Sequence, residues 1–384
     1  MSVPALRFKD DVGRNFPEWQ EKPFRDVSKI NQGLQIPISD RFPEGGENRH
    51  FYITNEFLRK DAKNKYFIEN PSSSVLCSES DVLMTRTGNT GKVVTNVNGA
   101  FHNNFFKISY DKNILNKDFL CEFLCLERTQ SLILKLAGTS TIPDLNHSDF
   151  YKINIQFPSL PEQTKIANFL TAVDVKITHL TQKHELLTQY KKGVMQQIFS
   201  QELRFKDEDG QDFPEWEYER LENLLDYEQP TKYLVSSTEY SDDYKIPVLT
   251  AGKTFILGYT NETNGICEQD LPVIIFDDFT TAFKFVPFPF KAKSSAMKIL
   301  RKKAGVNISY IYSAMQLIDF PSGDEHKRYW ISEYSKVTIP LLCQKEQTKI
   351  ANFLTAIDNK ITVTQTQLKA VKQYKQGLLQ QMFV

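Results

Sequence analysis

Residues 162–178 read EQTKIANFLTAVDVKIT and residues 346–362 read EQTKIANFLTAIDNKIT, 15 identities in 17 positions at a separation of 184 residues. The same ungapped separation carries on through Gln189-Tyr190-Lys191, Gly193, Gln196-Gln197 and Phe199, matched by Gln373-Tyr374-Lys375, Gly377, Gln380-Gln381 and Phe383. One element of about 38 residues has therefore been duplicated, and internal repeats of this kind decide architecture before any local propensity does.

Stepping alternately by four and three from Ile166 gives Ile166, Leu170, Val173, Ile177, Leu180, His184, Leu187, Lys191, Val194 and Ile198, eight of them apolar. The second copy gives Ile350, Leu354, Ile357, Ile361, Thr364, Leu368, Val371, Lys375, Leu378 and Met382, again eight of ten. A mean spacing of 3.5 residues is the seam of a coiled coil. Neither run contains proline, and Pro161 and Glu162 stand where the first turn of a helix tolerates a proline and favours a negative charge. Each copy is expected to be one helix of roughly 55 Å at 1.5 Å per residue. Pairing buries both stripes; the alternative is that each helix packs on its own globular half. His184 and Lys191 are expected to be register or partial-exposure features rather than catalytic groups, and Asp174-x-Lys176 and Asp358-x-Lys360, in mid-helix, are discounted as nuclease motifs.

A second repeat precedes each half: residues 6–19, LRFKDDVGRNFPEW, resemble residues 203–216, LRFKDEDGQDFPEW, at a separation of 197 residues. The order is linker, variable segment, helix, then linker, variable segment, helix, and the two variable segments share no convincing similarity. A duplication that kept one part and let the other diverge implies two jobs: a common partner or scaffold for the helices, and a different target for each variable segment.

Composition excludes several classes. With 384 residues, 40% hydrophobic and 24% charged, the chain is ordinary for a globular protein of two domains. It has no apolar run long enough for a membrane helix and no signal-peptide pattern at its start, so a cytoplasmic location is expected. Five cysteines without a C-x-x-C pair suit a reducing compartment, and the six histidines form no metal-ligand set. Lysine plus arginine equals aspartate plus glutamate at 47 each, so any nucleic-acid surface must be local.

Two local candidates emerge. Residues 80–92, SDVLMTRTGNTGK, end in a glycine-bounded turn whose Arg86, Thr87, Asn89, Thr90 and Lys92 could approach a DNA backbone or base edges; a plain hairpin between Val82-Leu83 and Val93-Val94 is the other reading. Neither this turn nor Ala251-Gly252-Lys253-Thr254 is a nucleotide-binding loop, because Arg86 and Pro247 stand where that spacing requires glycine. In the second half, residues 279–318 hold seven basic residues and no acidic one. Phe283, Phe285, Phe288 and Phe290 alternate as a strand's core face would, which places Lys284, Lys291, Lys293 and Lys298 on edges and loops facing phosphates, with Thr280, Thr281, Ser294 and Ser295 nearby. A merely solvated charge run remains the rival.

The run P-x-x-P-E-Q-x-K-I-A-x-F-L-x-x-x-D from Pro158, repeated at the C-terminus, resembles the conserved region of type I restriction-modification specificity subunits. The stretch Asp81 to Lys92 is similar to that family's D-[IV]-L-x-x-R-x-G-x-x-G-K, and Leu136 to Leu145, with one residue more before its leucine, to its G-[ST]-x-x-x-x-L. The second copy departs from the pattern, with Leu342-Cys343-Gln344-Lys345 in place of the second proline and Ile274 to Phe279 in place of the arginine-glycine loop. The resemblance covers essentially the whole chain. It implies two mixed α/β target-recognition domains joined by two long helices paired as an antiparallel coiled coil, a pseudo-two-fold internal repeat that reads a split double-stranded DNA site.

The boundaries expected are 1–161 for the first recognition domain, 162–202 for the central helix, 203–345 for the second domain and 346–384 for the last helix. Arg49, Thr139 and Ser140 complete the candidate DNA-contacting set. The partners implied are two modification subunits that bind S-adenosylmethionine and methylate adenine, and restriction subunits that use ATP in the full complex. No cofactor, metal or catalytic residue is expected on this chain, which lacks an N-P-P-[FY] or D-P-P-Y tetrad. The alternative is a coiled-coil scaffold or DNA-binding interaction protein without a restriction partner.

Overall fold

A computed structural model describes residues 4–59, 65–138, 141–252, 254–320 and 328–383. The chain forms two compact units: Met1–Leu180 with Gln367–Val384, and Thr181–Thr366. Both repeated elements are single helices, Leu160–Phe199 of 40 residues and Gln344–Met382 of 39, each starting in one unit and ending in the other.

In the first unit, strands Ser28–Gln32, Phe105–Tyr110, Val82–Thr85 and Val93–Val94 form an antiparallel sheet in that order. A second sheet orders Phe67–Glu69, Arg49–Ile53, Gly99–Phe101 and Leu76–Cys77, with one parallel pairing of Tyr52 to Ala100. A ribbon of Gln20–Pro23 and Asn154–Phe157 leads directly into the first long helix. The core joins Phe24, Met84, Phe106, Phe119 and Phe150 to Ile166 and Leu170 from the start of that helix and to Leu378 and Met382 from the end of the other. Within this unit the two helices therefore run antiparallel.

The second unit repeats the plan in unrelated sequence. Leu225–Glu228, Met297–Lys302, Val273–Asp277 and Phe283–Val286 make the antiparallel sheet, Ile256–Thr260, Ile246–Leu249 and Lys291–Ala292 the second, and Glu217–Arg220 with Thr338–Leu341 the ribbon before the last helix. Here Val194 and Ile198 from the end of the first helix share a core with Ile350, Leu354 and Ile357 from the start of the second, again antiparallel. All twenty seam positions are buried or half-buried, each apolar one contributing up to about 1.5–3 kcal/mol. Both seam lysines have partners: Lys191 Nζ lies 2.7 Å from Asp358 in one unit, and Lys375 Nζ 2.8 Å from Asp174 and 3.0 Å from Glu122 in the other. Asp174 and Asp358 are thus register pairs, and Thr364 donates to its own helix at Lys360 O, 2.7 Å.

The stretch expected to be a linker is a packed part of each unit. Arg7 donates from Nε and Nη2 to the two oxygens of buried Glu162, at 3.0 and 2.6 Å, and Arg204 reaches Glu346 at 3.3 Å. Phe8 meets Phe169 edge-on at 5.7 Å, as Phe205 meets Phe353 at 5.4 Å. Gln163 and Gln347 accept from the backbone of Asn116 and Asn307, the residues that cap helices Lys117–Cys125 and Ile308–Met315. Lys165 and Lys349 donate to the carbonyls of Lys9 and Lys206. The E-Q-x-K pattern recurs because each residue locks the helix to a different neighbour.

Candidate nucleic-acid interface

The turn at 86–92 joins strands Val82–Thr85 and Val93–Val94 and is closed by Thr85 N to Lys92 O at 2.9 Å and Gly91 N to Thr85 O at 2.8 Å. Its glycines are needed. Gly88 and Gly91 have φ of +66° and +90°, and a Cβ would lie 2.6 Å from Asn55 Nδ2 at the first and 2.7 Å from Gln130 Oε1 at the second.

Side chains in this turn divide into two sets. Arg86 turns inward, pairing bidentately with Asp144 at 2.9 and 2.7 Å, over the Phe106 ring. Thr87 also donates to Asp144, and Thr90 donates to Pro143 O at 2.7 Å, while Leu145 N reaches Arg86 O at 3.0 Å. Asn89 and Lys92 are exposed. Arg86, Thr87 and Thr90 thus shape the turn, and Asn89 and Lys92 face outward from it.

The Arg86 hydrogen bond, opposed by partial burial and helped by Thr87, holds the Asp144 carboxyl below the usual aspartate range. A depressed carboxylate stabilises the fold above its unfolded pKa, and that contribution is lost as pH falls through the lowered value. Asp144→Asn at neutral pH, and acidification below about pH 4 in the unaltered chain, are both expected to speed hydrogen exchange at the Gly91 and Lys92 amides. Unchanged protection in both would mean that the pair does not order the turn.

The corresponding turn of the second unit, between Val273–Asp277 and Phe283–Val286, has reversed polarity. Asp277 Oδ1 accepts from Phe279 N and Thr280 N, and Thr281 takes a φ of +57°. Asp278 turns inward, accepting from Trp330 N at 2.9 Å through Oδ1 and from Tyr329 N at 2.9 Å through its carbonyl. Asp278 N bonds to Ala296 O, which brings Thr280 and Thr281 beside Ser294 and Ser295 at one end of the unit. Thr280, Ser294 and Ser295 are exposed there; Lys284 and Lys293 are half-buried, the latter donating to Tyr240 Oη at 3.2 Å.

Two lysines depart from expectation. Lys298 is 1% exposed with Nζ 3.3 Å from Asp278, and Lys291 is 3% exposed, 2.7 Å from Glu262 and 2.6 Å from Asn264 O. Met297–Lys302 is flanked by strands on both sides, so Lys298 lies in the sheet's interior and not on an edge. Their ammonium groups serve internal pairs, and phosphates do not face them.

Arg49 stacks 3.6 Å over Phe42 in the second sheet of the first unit. Thr139 and Ser140 lie outside the described residues. Sequence reasoning missed the segment Asn55–Leu58, which touches the turn twice, through Asn55 Nδ2 to Thr87 O at 3.0 Å and Lys92 Nζ to Leu58 O at 3.4 Å. Nothing in its residue pattern marks that contact, because it arises between two different sheets. Among the described residues no group of three or more His, Cys, Asp or Glu could hold a metal, and no helix is long and apolar enough to cross a membrane.

The family model described as "Type I restriction modification DNA specificity domain" matches residues 17–189 and 214–373, once in each half. The EcoR124I/EcoR124II specificity subunit of Escherichia coli is 48% identical over 175 residues, 42% of this chain and 43% of that one. The MjaVIII specificity subunit of Methanocaldococcus jannaschii is 27% identical over 233 residues, 59% of this chain and 53% of that one. The chain thus spans about half the length of each of these two relatives. A crystal structure of a type I restriction-modification S subunit from M. genitalium superposes with a TM-score of 0.72 at 17% identity, covering 100% of this chain and 99% of that one, a likeness of fold.

Proposed function

The chain belongs to the type I restriction-modification DNA specificity family, and from that premise we propose that it is the non-catalytic subunit that reads a split double-stranded DNA site. The observation that carries this reading is the mismatch between the two kinds of repeat. Near-identical helices carry two units that share the order of one four-stranded antiparallel sheet but have unrelated sequences, as two different half-sites would require.

In this reading 1–161 and 203–345 are the recognition domains, and 162–202 and 346–384 the helices that space them. Asn89, Lys92, Arg49, Thr139 and Ser140 meet the first half-site, with Arg86, Thr87 and Thr90 setting the turn. Thr280, Thr281, Lys284, Lys293, Ser294 and Ser295 meet the second. With 47 charges of each sign, affinity rests on these local contacts. Two modification subunits supply S-adenosylmethionine and adenine methylation, restriction subunits join the full complex, and the assembly acts in the cytoplasm.

Exchanging residues 213–345 for the corresponding segment of another member tests this. Methylated adenines mapped genome-wide are expected to show one half-site replaced and the other retained. A change in both half-sites would defeat the idea of independent readers.

A further inference from the structure

Of 28 phenylalanines, Phe57 alone among the described residues is exposed, at 40%. It sits in the Asn55–Leu58 turn, whose flanks touch Thr87 and Lys92 of the candidate reading turn, and its ring meets Phe51 edge-on at 5.4 Å. Beside it opens a cavity of about 200 Å³ lined by Phe51, Thr54, Phe57, Arg59, Lys65 and Tyr66, together with Tyr52. That is smaller than the clefts of about 300–1,000 Å³ that hold drug-sized ligands. The lining combines four aromatic rings, the hydroxyls of Thr54 and the two tyrosines, and two cations, with no carboxylate among the described residues.

We propose that this cavity receives one nucleobase unstacked from the bound duplex, stacked on Phe57, with Arg59 and Lys65 on its flanking phosphates. The inference rests on the DNA-reading function proposed above. Aromatic faces accept any base by stacking, and cations beside them follow the backbone. A phenylalanine left in water beside an outward-facing lysine is otherwise a cost to the fold, since an apolar ring gains by burial. Tyr52 does not compete for the base, because its hydroxyl already donates to Leu34 O at 2.7 Å and accepts from Ile36 N.

The test uses the full chain with its modification partners and a duplex carrying the mapped site, with 2-aminopurine placed in turn at each position of the first half-site. Fluorescence is expected to rise at one position on binding. Phe57→Ala and Phe57→Leu should abolish that rise and weaken binding roughly 5- to 150-fold, whereas Phe57→Trp should keep both. The leucine variant preserves apolar bulk without a π-face, so a loss shared with alanine reports stacking and not folding. Salt-dependent binding that persists in all variants, with no position brightening, would overturn the pocket while leaving the reading function intact. Absence of salt-dependent binding by the unaltered complex would overturn both.

Discussion

Arg7→Met is expected to destabilise the first unit by about 3–5 kcal/mol, because it leaves the fully buried Glu162 carboxylate without its partner. Arg7 is the hydrogen-bonding partner of Glu162 among the described residues, and its Nη2 also donates to Phe16 O and Pro17 O. The second unit makes an internal control. There Glu346 accepts from Trp216 Nε1 at 3.1 Å as well as from Arg204, so Arg204→Met leaves one donor in place and should cost less, about 1.5–3 kcal/mol. Pairing Arg7→Met with Glu162→Leu should recover most of the loss, since an apolar pair of similar volume does not carry the desolvation of two charges. Urea unfolding, with hydrogen exchange over Lys117–Cys125 and Ile308–Met315 to separate the units, reads all three. A shift below about 1 kcal/mol for Arg7→Met would show that this pair behaves as a surface contact.

Inserting one heptad into both long helices, after Leu180 and after Thr364, is expected to lengthen the non-specific spacer of the DNA site and leave both half-sites unchanged. Seven residues preserve the seam and add about 10 Å to each helix, close to three base pairs at about 3.4 Å each. Each helix starts in one unit and ends in the other, so the insertion extends both connections equally. It also leaves the pairs Lys191–Asp358 and Lys375–Asp174 inside their own units. The added length also turns one reader about the duplex relative to the other, and a lower methylation rate is expected. Methylation of the original site at its original spacing would show that the helices do not set the distance.

The helices were legible in the sequence down to individual seam positions. Every residue from Ile166 to Ile198 and from Ile350 to Met382 picked by the alternating step of four and three is buried or half-buried. What the seam did not reveal was the part played by its polar members. Lys191 and Lys375 find carboxylates on the other helix, and the antiparallel register that brings them together depends on residues far apart in the chain. The repeated LRF and FPEW stretches were visible as repeats, but not as the surface against which Glu162 and Glu346 are buried.

The candidate interface divides in the same way. The glycine-bounded turn at 86–92 was recognisable from its residues, because positive φ at Gly88 and Gly91 is a local demand. The direction of Arg86 was not, since Asp144 lies 58 residues away in sequence. Lys298 was misplaced for a similar reason: alternation along residues 283–302 says which side of a strand a lysine occupies, not whether another strand covers its edge.

By itself, then, the sequence determined that the chain is a duplicated helix carrying two diverged segments, because helical periodicity and repetition are properties of neighbouring residues. Only the tertiary structure decided that the diverged segments share the order of one antiparallel sheet, that Lys291 and Lys298 are internal, and that Phe57 lies exposed beside the turn at 86–92. Each of these depends on strand pairings and contacts between residues distant in the chain, and the burial and charge pairing that stabilise them exist only after those strands have met.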